Sequence, residues 1–399
     1  MTQEATATTA PEAGWSLRSL AYDPQVRGIF YQILTIVLLV AFIWWVGSNT
    51  AAHLAIANQS LGYNFISGRA GFNIAQSLIP YSSDSTYGSA FLVGIVNTLF
   101  VAITGIIAAT IIGFIVGIGR LSHNWLIAKL CTVYVEVFRN IPPLLVIFFW
   151  YLGVLSVLPQ PRDSVHLPFS MFLNNRGLAF PRPIFGAGMW AVLVAFVVAI
   201  IAVILLARWS SKRQALTGKA FPTIWTGIAV IIGLPILAFL LAGLPITFDY
   251  PVEGKFNLTG GSVIGPEFMS LFLALSFYTA SFIAEIVRGG IRGVPKGQTE
   301  AAGALGLHPS RITRLVVIPQ ALRIIIPPLT SQYLNLTKNS SLAIAVGYAD
   351  IFAVGSTILN QTGKAIEVIS ITMIIYLVIS LVTSLFMNWF NAKMALVER

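Results

Sequence analysis

Charged residues are scarce in this chain. Only 10% of its 399 residues are Asp, Glu, Lys or Arg, whereas 56% are hydrophobic, and the mean hydropathy is +0.83. Soluble domains carry about 25% charged residues, so the composition indicates an integral membrane protein. Acidic residues are the scarcer sign, with 14 Asp and Glu against 24 Lys and Arg. Because the basic residues lie in short loops between apolar runs, the net charge of +10 fits the positive-inside bias better than nucleic-acid binding.

Residues for catalysis and metal binding are also few. Cys131 is the single cysteine, which excludes an internal disulfide and a thiolate metal cluster. The four histidines are widely scattered, and neither an HExxH nor a Gly-x-Ser-x-Gly motif occurs. A Walker A motif is absent, because the Gly-Lys pairs at 218–219, 254–255 and 363–364 are each followed by a residue other than Ser or Thr. We therefore expect neither direct catalysis nor an ATPase site in this chain.

Long apolar runs make up most of the chain instead. Spanning a bilayer requires about 20 mostly apolar residues. The segments that qualify are roughly 28–48, 91–119, 130–158, 189–208, 223–246, 267–287, 327–347 and 366–390. The first is longer than the apolar core of a signal peptide and follows an acidic stretch, so it is interpreted as a retained span. The sequence predicts an all-α polytopic membrane protein with about eight transmembrane helices.

The distribution of Lys and Arg predicts the orientation of these spans. Most of them lie at or beside 120–129, 209–222, 288–326 and the two termini, which assigns these segments to the cytoplasm. The expected organisation is a cytoplasmic tail at 1–27, a span at 28–48, a periplasmic segment at 49–90, and a cytoplasmic tail at 393–399. Arg139 and Lys338 remain inside predicted spans.

Three segments carry local structural signals. Residues 49–90 mix apolar and polar side chains, which fits either an amphipathic surface helix or a folded loop on the outer ends of the spans. Residues 159–188, rich in Pro, Arg and Asn, are interpreted as an outside loop. In the second span, Gly113 and Gly117 form a GxxxG pattern typical of close helix packing. Pro142 and Pro143 are expected to bend the third span.

A small charged segment interrupts the apolar pattern near the C-terminal end. Residues 300–306 read Glu-Ala-Ala-Gly-Ala-Leu-Gly, and nine residues later Val-Val-Ile-Pro occupies 316–319. This pattern resembles the EAA loop of ABC-importer permeases, with Val for Ile at 316 and Ile for Leu at 318. We call residues 300–319 the EAA segment. The resemblance implies an ATPase-coupling role for Glu300, Ala301, Ala302, Leu305, Gly306, Ile318 and Pro319.

The residues of the EAA segment suit contact with another protein. The alanines and Gly306 keep its bulk low, so that it can enter a cleft on another subunit, and Glu300 offers a carboxylate to a charged partner. Pro319 lacks an N–H, so we expect it to kink or stop the helix and turn the chain back towards the seventh span. The alternative is a plain amphipathic loop on the membrane surface.

The resemblance extends over residues 91–158 and 267–392. Stretches at 134–146, 275–291, 319–323 and 336–343 look like the corresponding motifs of polar amino-acid permeases. The extra first span and the insert 159–266, with two further spans, resemble the larger permease subunit of general L-amino-acid importers. One departure is that Asn339 and Ser340 stand where most members have Asp-Thr.

The resemblance implies a type I ABC-importer permease core in a bacterial inner membrane. Its expected function is uptake of L-amino acids, polar and of broad range, by alternating access. The implied partners are two copies of an ABC ATPase subunit, a second homologous permease subunit in a heterodimer, a periplasmic amino-acid-binding protein and membrane lipids. ATP and Mg would be used by the ATPase partner, and no cofactor or nucleic acid is expected on this chain.

Ionisable groups inside spans are the candidates for a substrate pathway, because each costs about 2.5–3.5 kcal/mol at the bilayer centre on insertion scales. An amino acid needs a cation for its carboxylate and acceptors for its ammonium. The alternative for the charged groups is structural pairing, since Glu136 and Arg139 are three residues apart, as are Glu285 and Arg288. The candidates are Glu136, Arg139, Asn140, Tyr278, Thr279, Ser281, Glu285, Lys338, Asn339 and Ser340.

Two other functions compete with the importer. An ion-coupled secondary carrier would use Glu136 or Glu285 as its proton site, and its uptake would collapse with an uncoupler while ATP is held constant. A non-transporting membrane scaffold or sensor would tolerate bulky changes in the EAA segment. The order of motifs along the chain favours the importer.

Overall fold

The structure is a computed structural model that describes residues 24–56, 62–254 and 257–394. Residues 1–23 of the predicted N-terminal tail and 395–399 of the C-terminal tail therefore lie outside the described residues. The chain divides into two compact units. One consists of Met1–Phe65 with Lys364–Glu367, and the other of Ile66–Gly363 with Val368–Arg399.

The first unit contains one long apolar helix, α1 (Pro24–Ile56). Its 33 residues give a length of about 50 Å, more than a bilayer core requires. Within the same unit, Gly62 donates its N–H to Glu367 Oε1 at 2.9 Å, and Lys364 Nζ lies 3.9 Å from that oxygen. The buried carboxylate of Glu367 thus has both a hydrogen-bond donor and a counter-charge.

The second unit is a helical bundle with a strand-containing insert. Its helices are α2 (Tyr87–Gly119), α3 (Trp125–Asn140), α4 (Pro143–Phe148), α5 (Met189–Thr217), α6 (Thr223–Leu241), α7 (Pro266–Arg292), α8 (Lys296–Ala304), α9 (Pro309–Ile312), α10 (Ile318–Asn339) and α11 (Ile351–Thr362). The last helix, α12 (Ala365–Met394), begins in the first unit and continues into the second. The bundle confirms the predicted all-α class.

Helices α2 and α7 pack side by side in the same direction and form the centre of the bundle. The rings of Phe100 and Phe268 stack 5.0 Å apart near one end. Towards the other end, a Cβ built on Gly113 would lie 2.6 Å from Ile283 Cβ, and one on Gly117 2.7 Å from the Ala284 carbonyl oxygen. Only glycine fits at these two positions, so the GxxxG pattern marks a close helix contact as predicted.

Helix α10 crosses this pair in the opposite direction. Tyr333 Oη and Thr110 Oγ1 are 2.9 Å apart. Ile325 lies against Gly290 near the C-terminal end of α7, whereas Leu336 lies against Gly105 near the middle of α2. The bundle therefore has two ends. We call the end that carries the EAA segment the loop end, and the end where α2 and α7 begin the sheet end.

The sheet end is fixed by polar contacts to the first turns of α2. Asn97 donates from Nδ2 to the carbonyl oxygens of Gln76 and Ala349, each at 2.9 Å. The Ile351 N–H donates to Thr98 Oγ1 at 3.0 Å. These buried bonds attach both the start of α11 and the loop that precedes α2.

Among the described residues, seven helices are long and apolar enough to cross a membrane, and a bent pair supplies an eighth if it counts as one span. This agrees with the predicted number. The bent pair is α3 and α4, which meet at 111°. Ile141 and Pro142 between them are extended, and Pro143 starts α4. The predicted span at 130–158 is thus bent at Pro142 and Pro143 as expected, because these residues cannot donate the hydrogen bonds that a continuous helix needs.

Two further span boundaries differ from the prediction. Helix α7 continues to Arg292, and α10 already begins at Ile318, so the segment between them is 293–317, shorter than the predicted loop 288–326. Pro319 neither stops nor turns the chain, which is a correction. The residues around it are helical without a break, because α9, the π-helical turn at Thr313–Val317 and α10 follow one another directly. A local π-helical adjustment is one of the ways in which a proline is accommodated inside a helix.

The insert carries strands that the sequence did not predict. They are β1 (Val165–Leu167), β2 (Met171–Asn174), β3 (Gly177–Phe180), β4 (Arg182–Phe185), β5 (Ile246–Asp249), β6 (Val252–Glu253), β7 (Leu258–Thr259) and β8 (Ser262–Ile264). The antiparallel order β1-β2-β3-β8 forms one sheet, and β4-β5 and β6-β7 form two pairs. The expected outside loop at 159–188 thus contains four strands, which make up half of its residues. The predicted span at 223–246 ends at Leu241, because the chain leaves α6 to pair β5 with β4.

The described part of the predicted segment 49–90 contains no amphipathic surface helix after α1. It has a short 3₁₀ helix at Asn64–Ser67 and a bridge between Arg69 and Thr86. In the second unit, Gln76 Nε2 donates to Glu267 Oε2 at 3.0 Å at the start of α7. Residues 66–86 therefore form the folded loop that was the alternative prediction.

The close contact between α2 and α7 makes a stability prediction. We expect Gly117→Ala to lower the thermal stability of the purified protein, because its methyl group would overlap the Ala284 carbonyl oxygen and overpacking costs about 1–3 kcal/mol. Gly233→Ala in α6 is the control, since nothing lies within 4 Å of its Cβ position. Equal melting temperatures for the two variants would contradict the packing described here.

Candidate functional site

The EAA segment folds as helix α8, a turn, α9 and the start of α10. Ala302 is buried and anchors α8, whereas Glu300, Ala301 and Gly306 are exposed. Leu305 is 82% exposed. Helix α8 thus buries Ala302 and leaves the large apolar side chain of Leu305 at its end exposed, where it can contact another protein.

Gly306 determines the shape of the turn after α8. Its φ of +76° lies in the left-handed region that glycine adopts without steric cost. No other group lies within 4 Å of the position where a Cβ would be. The chain thus requires glycine here for backbone conformation, and the surrounding space is open for a partner.

The second half of the segment is also open to the surroundings. Ile318 is 46% exposed, and Pro319 is exposed at the first turn of α10. Residues 313–317 form a π-helical turn that joins α9 to α10. His308 caps α9 by accepting the Ser310 N–H at Nδ1 over 3.4 Å. His308 is not part of the EAA motif, but this cap fixes the start of α9 in the middle of the EAA segment.

A cavity of about 610 Å³ lies between the end of α10, α11 and α12. Its volume is within the usual range of small-molecule sites, about 300–1,000 Å³. The wall is mostly apolar with a few converging polar groups. The polar residues that line it are Lys338, Ser341, Ser356, Thr372, Tyr376 and Ser380.

Lys338 is the cation of this cavity. It belongs to the last turn of α10 and is exposed at the cavity wall. Among the described residues, no carboxylate lies within 4 Å of its ammonium group. An unpaired cation in a mostly apolar cavity is costly, and it can be neutralised by the carboxylate of a bound molecule.

A buried carboxylate lies behind the cavity wall. Asp350 is fully buried, accepts the Ala353 N–H at 2.8 Å as the N-cap of α11, and accepts the Tyr376 hydroxyl at 2.8 Å. Because Tyr376 also lines the cavity, Asp350 fixes the orientation of a wall residue. Asp350 is not among the residues predicted from the sequence, although an Asp directly before a helix is a recognisable N-cap signal.

The structure separates the predicted pathway residues into two groups. Asn339 is partly buried, and Ser340 is fully buried with its hydroxyl bound to the Thr337 carbonyl at 2.7 Å. Both follow Lys338 at the end of α10. Of the ten predicted residues, Lys338 alone lines the cavity. Asn339 and Ser340 follow it in the chain without lining the wall, and the candidates on α3 and α7 lie elsewhere.

The hydroxyl candidates on α7 are mostly turned into the bundle. Thr279 and Ser281 are buried, and Ser281 Oγ donates to the Tyr278 carbonyl at 2.7 Å. The Tyr278 ring packs against Phe282 at 5.1 Å.

The charged candidates on α3 do not pair with each other. The Arg139 guanidinium lies over the Phe282 ring, 5.5 Å from its centre, and Asn140 donates to the Glu136 carbonyl at 2.7 Å. Glu136 instead has Arg120 Nη2 3.9 Å from its Oε1. The expected i,i+3 pair of Glu136 with Arg139 is therefore absent.

Glu285 and Arg288 do form the expected i,i+3 pair. Arg288 donates from Nε to Glu285 Oε2 at 3.2 Å and from Nη2 to Oε1. Arg120 Nη1 also contacts Glu285 Oε2, although the two residues are 165 positions apart in the chain. The sequence predicted for Arg120 only a place in the cytoplasmic loop 120–129.

The described residues contain no group of three His, Cys, Asp or Glu arranged to hold a metal ion. The structure has two features that suit binding: the exposed EAA segment at the loop end, and a cavity that contains the unpaired ammonium group of Lys338. The first suits contact with a protein, and the second suits a small molecule with a carboxylate.

Comparison with known proteins assigns a family to this arrangement. Residues 209–396 match the family described as "Binding-protein-dependent transport system inner membrane component". The chain is 74% identical, over all of both chains, to the general L-amino acid transport system permease protein AapQ of Rhizobium johnstonii.

Two further relatives also match over nearly their whole length. The putative amino-acid ABC transporter permease protein YhdX of Escherichia coli K12 is 50% identical, over 94% of this chain and 96% of that protein. The glutamate/glutamine/aspartate/asparagine transport system permease protein BztB of Rhodobacter capsulatus is 43% identical, over 99% and 100%. With seven or eight apolar helices in the part of it that the structure describes, the chain is a multi-pass inner-membrane protein and belongs to the family of binding-protein-dependent ABC transporter permeases.

Proposed function

We propose that this chain is the permease subunit of an ATP-driven importer of L-amino acids. The observation that carries the proposal is the identity of 74% over the full length of a permease named for general L-amino acid transport. The exposed EAA segment and the cavity around Lys338 give this function two physical parts. The first receives movement from an ATPase, and the second contacts the transported molecule.

The EAA segment is the proposed site of ATPase contact. Leu305 and Ile318 supply exposed apolar surface, Glu300 supplies a carboxylate, and the low bulk at Ala301 allows close approach. Apolar anchors surrounded by polar groups are typical of the central part of a protein interface. Helices α8 and α9 would therefore enter a cleft of the ATPase, with Pro319 at the point where movement passes into α10.

The proposed assembly contains several chains. Two ATPase subunits would use ATP and Mg on the side of the EAA segment, which we take as the cytoplasmic side together with both termini. A second, homologous permease would complete the pathway. A soluble amino-acid-binding protein would dock at the sheet end, because the substrate must enter from the side opposite the ATPase.

The cavity at the sheet-end half of α10 is the proposed place of substrate contact. The Lys338 ammonium would bind the carboxylate of the amino acid, and the hydroxyls of Ser341, Ser356 and Thr372 would accept from its ammonium group. Asn339 and Ser340 would position Lys338 by ending α10. Because the remaining wall is apolar and roomy, side chains of several kinds fit, which is consistent with a broad range of substrates.

The remaining predicted pathway residues have different proposed roles. Glu136 and Glu285 contact Arg120 at the end of α2, Arg139 lies over a ring of α7, and Asn140 bonds to the backbone of its own helix. We therefore assign these four residues to packing and movement instead of substrate contact. Tyr278, Thr279 and Ser281 are assigned to the packing of α7.

Reconstituted uptake tests the whole proposal. Proteoliposomes that contain the assembled transporter should accumulate labelled L-glutamate only with ATP inside and a binding protein outside. An uncoupler should leave this uptake unchanged at constant ATP. Uptake that follows a proton or sodium gradient without ATP hydrolysis would refute the importer and favour a secondary carrier.

Gly306→Val should uncouple the EAA segment from the ATPase. Valine at a φ of +76° costs about 1–2 kcal/mol and reshapes the turn, and a loss of about 2 kcal/mol in the interface corresponds to roughly thirtyfold weaker ATPase binding. Co-purification with the ATPase and labelled uptake measure this loss, whereas membrane insertion should persist.

The matched control is Gly218→Val, at the C-cap of α5. Gly218 has a φ of +68° and likewise nothing within 4 Å of its Cβ position, so the backbone strain is similar. Gly218→Val should keep ATPase binding. Equal retention of ATPase by both variants would rule out the assignment of the EAA segment.

Lys338→Met should weaken direct substrate binding. Loss of one charge-assisted contact to a carboxylate costs about 1.5–3 kcal/mol, so the Kd for labelled L-glutamate should rise at least about tenfold. Binding is measured on the purified transporter without the binding protein, and Lys212→Met, an exposed lysine near the end of α5, is the control. An unchanged Kd for Lys338→Met would remove the cavity from the substrate pathway.

A further inference from the structure

Four charged side chains from three helices meet at the loop end of the bundle. Arg120, the C-cap of α2, contacts Glu285 of α7 through Nη1 and lies 3.9 Å from Glu136 of α3 through Nη2. Arg288, one turn after Glu285, holds the same carboxylate with Nε at 3.2 Å. Two cations and two carboxylates balance, so the cluster is neutral as a whole. We call these four residues the Arg120 cluster.

Burial makes Arg120 the centre of this cluster. Its side chain is 10% exposed, compared with 28% for Glu285 and 60% for Glu136. A buried guanidinium is costly unless it is paired, and breaking such a pair is strongly destabilising. The location lowers the cost, because α2 and α7 run in the same direction and both present the negative ends of their dipoles at the loop end. Arg120 is thus firmly bound on the α7 side.

The contact with α3 is different in kind. The distance of 3.9 Å from Arg120 Nη2 to Glu136 is longer than a hydrogen bond, and Glu136 is mostly exposed. Arg120 Nε is buried and has no hydrogen-bond partner among the described residues. Arg120 therefore has donor capacity that a small movement of α3 towards it would satisfy, and that a movement away would leave unused.

The cluster lies directly on the path from the EAA segment to the bundle. Helix α7, which carries Glu285 and Arg288, ends at Arg292, and α8 begins four residues later at Lys296. Above the cluster, the contacts of Gly113 and Gly117 with Ile283 and Ala284 prevent α7 from rotating against α2. A force applied to α8 thus reaches α2 and α7 together only if their loop ends stay joined.

The cluster has no role in the cavity. None of its four members lines the wall around Lys338, and their charges are neutralised by one another. Three of them are engaged in short contacts that a substrate would have to break. Their function must therefore lie in holding helices instead of binding the transported molecule.

We propose that Arg120 is a positioning residue for ATP-driven transport. Its contact with Glu285 joins α2 and α7 into one body that moves with the EAA segment. Its second contact, with Glu136, forms in one state of the alternating-access cycle and breaks in the other, as α3 moves towards or away from Arg120. This inference rests on the proposed importer function, because it assigns to Arg120 the transmission of movement from the ATPase.

The test is the ratio of uptake to ATP hydrolysis in the full reconstituted transporter. Arg120→Gln should assemble and hydrolyse ATP, while labelled L-glutamate uptake per ATP falls roughly five- to tenfold, the size of a coupling free energy between two sites. Arg120→Lys keeps the charge and should recover about half of the wild-type ratio, as partial coupling predicts. A role in stability alone would lower the yield of complex and leave the ratio of uptake to ATP unchanged.

The matched control is Arg182→Gln, which removes an arginine paired with Asp249 at 3.1 Å in the insert, far from the EAA segment. It should leave the ratio unchanged. If Arg120→Gln does not assemble, Glu136→Gln decides, since its exposed side chain is not needed for folding, and a wild-type ratio for it would overturn the proposal. A wild-type ratio for Arg120→Gln does the same, whereas absence of ATP-driven uptake in the wild type would refute the importer function itself.

Discussion

The close contact between α2 and α7 is the constraint on which the rest of the structure depends. Because Gly113 and Gly117 have no side chains, the backbone of α2 packs directly against Ile283 and Ala284 of α7. Close backbone packing is what holds helices together in lipid, where burial of apolar surface supplies little. Three other helices are bound to this pair: Tyr333 of α10 bonds to α2, the start of α11 bonds to α2, and Tyr134 of α3 donates to the Phe277 carbonyl of α7.

Paired and unpaired charges lie at different positions along α2 and α7. At the loop end, charged groups neutralise one another around Arg120 and stand beside the exposed EAA segment. Nearer the sheet end, Lys338 has no carboxylate partner among the described residues and faces a cavity. An importer needs this separation, because the part that receives force must be rigid and satisfied, whereas the part that holds a substrate must leave a charge available.

The sequence predicted features that depend on neighbouring residues and missed those that depend on distant ones. Apolar runs located the spans, the GxxxG spacing located the helix contact, and the Pro142-Pro143 pair located the break between α3 and α4. The pairing of β3 with β8 was missed because it spans more than eighty residues, and no local pattern carries that partner. The hairpins β1-β2 and β2-β3 are an exception: they are local, and were missed because their Pro, Arg and Asn content was interpreted as a loop. The pairing of Arg120 with Glu285 was missed for the same reason, since the two residues are far apart in the chain; the sequence indicated only that Arg120 lies in a loop. Pro319 was expected to kink or stop the helix, but the chain stays helical on both sides of it, with a π-helical turn directly before it.

The central claim is that α2 and α7 move as one body when the ATPase acts on the EAA segment. Distances between spin labels in a Cys131→Ser background test it directly in the reconstituted transporter, with and without ATP. One pair is Ile118 on α2 with Gly289 on α7, and the other is Val137 on α3 with Gly289, all at exposed positions. The account predicts an unchanged distance for the first pair and a changed distance for the second. A change in the first pair as large as in the second would contradict it.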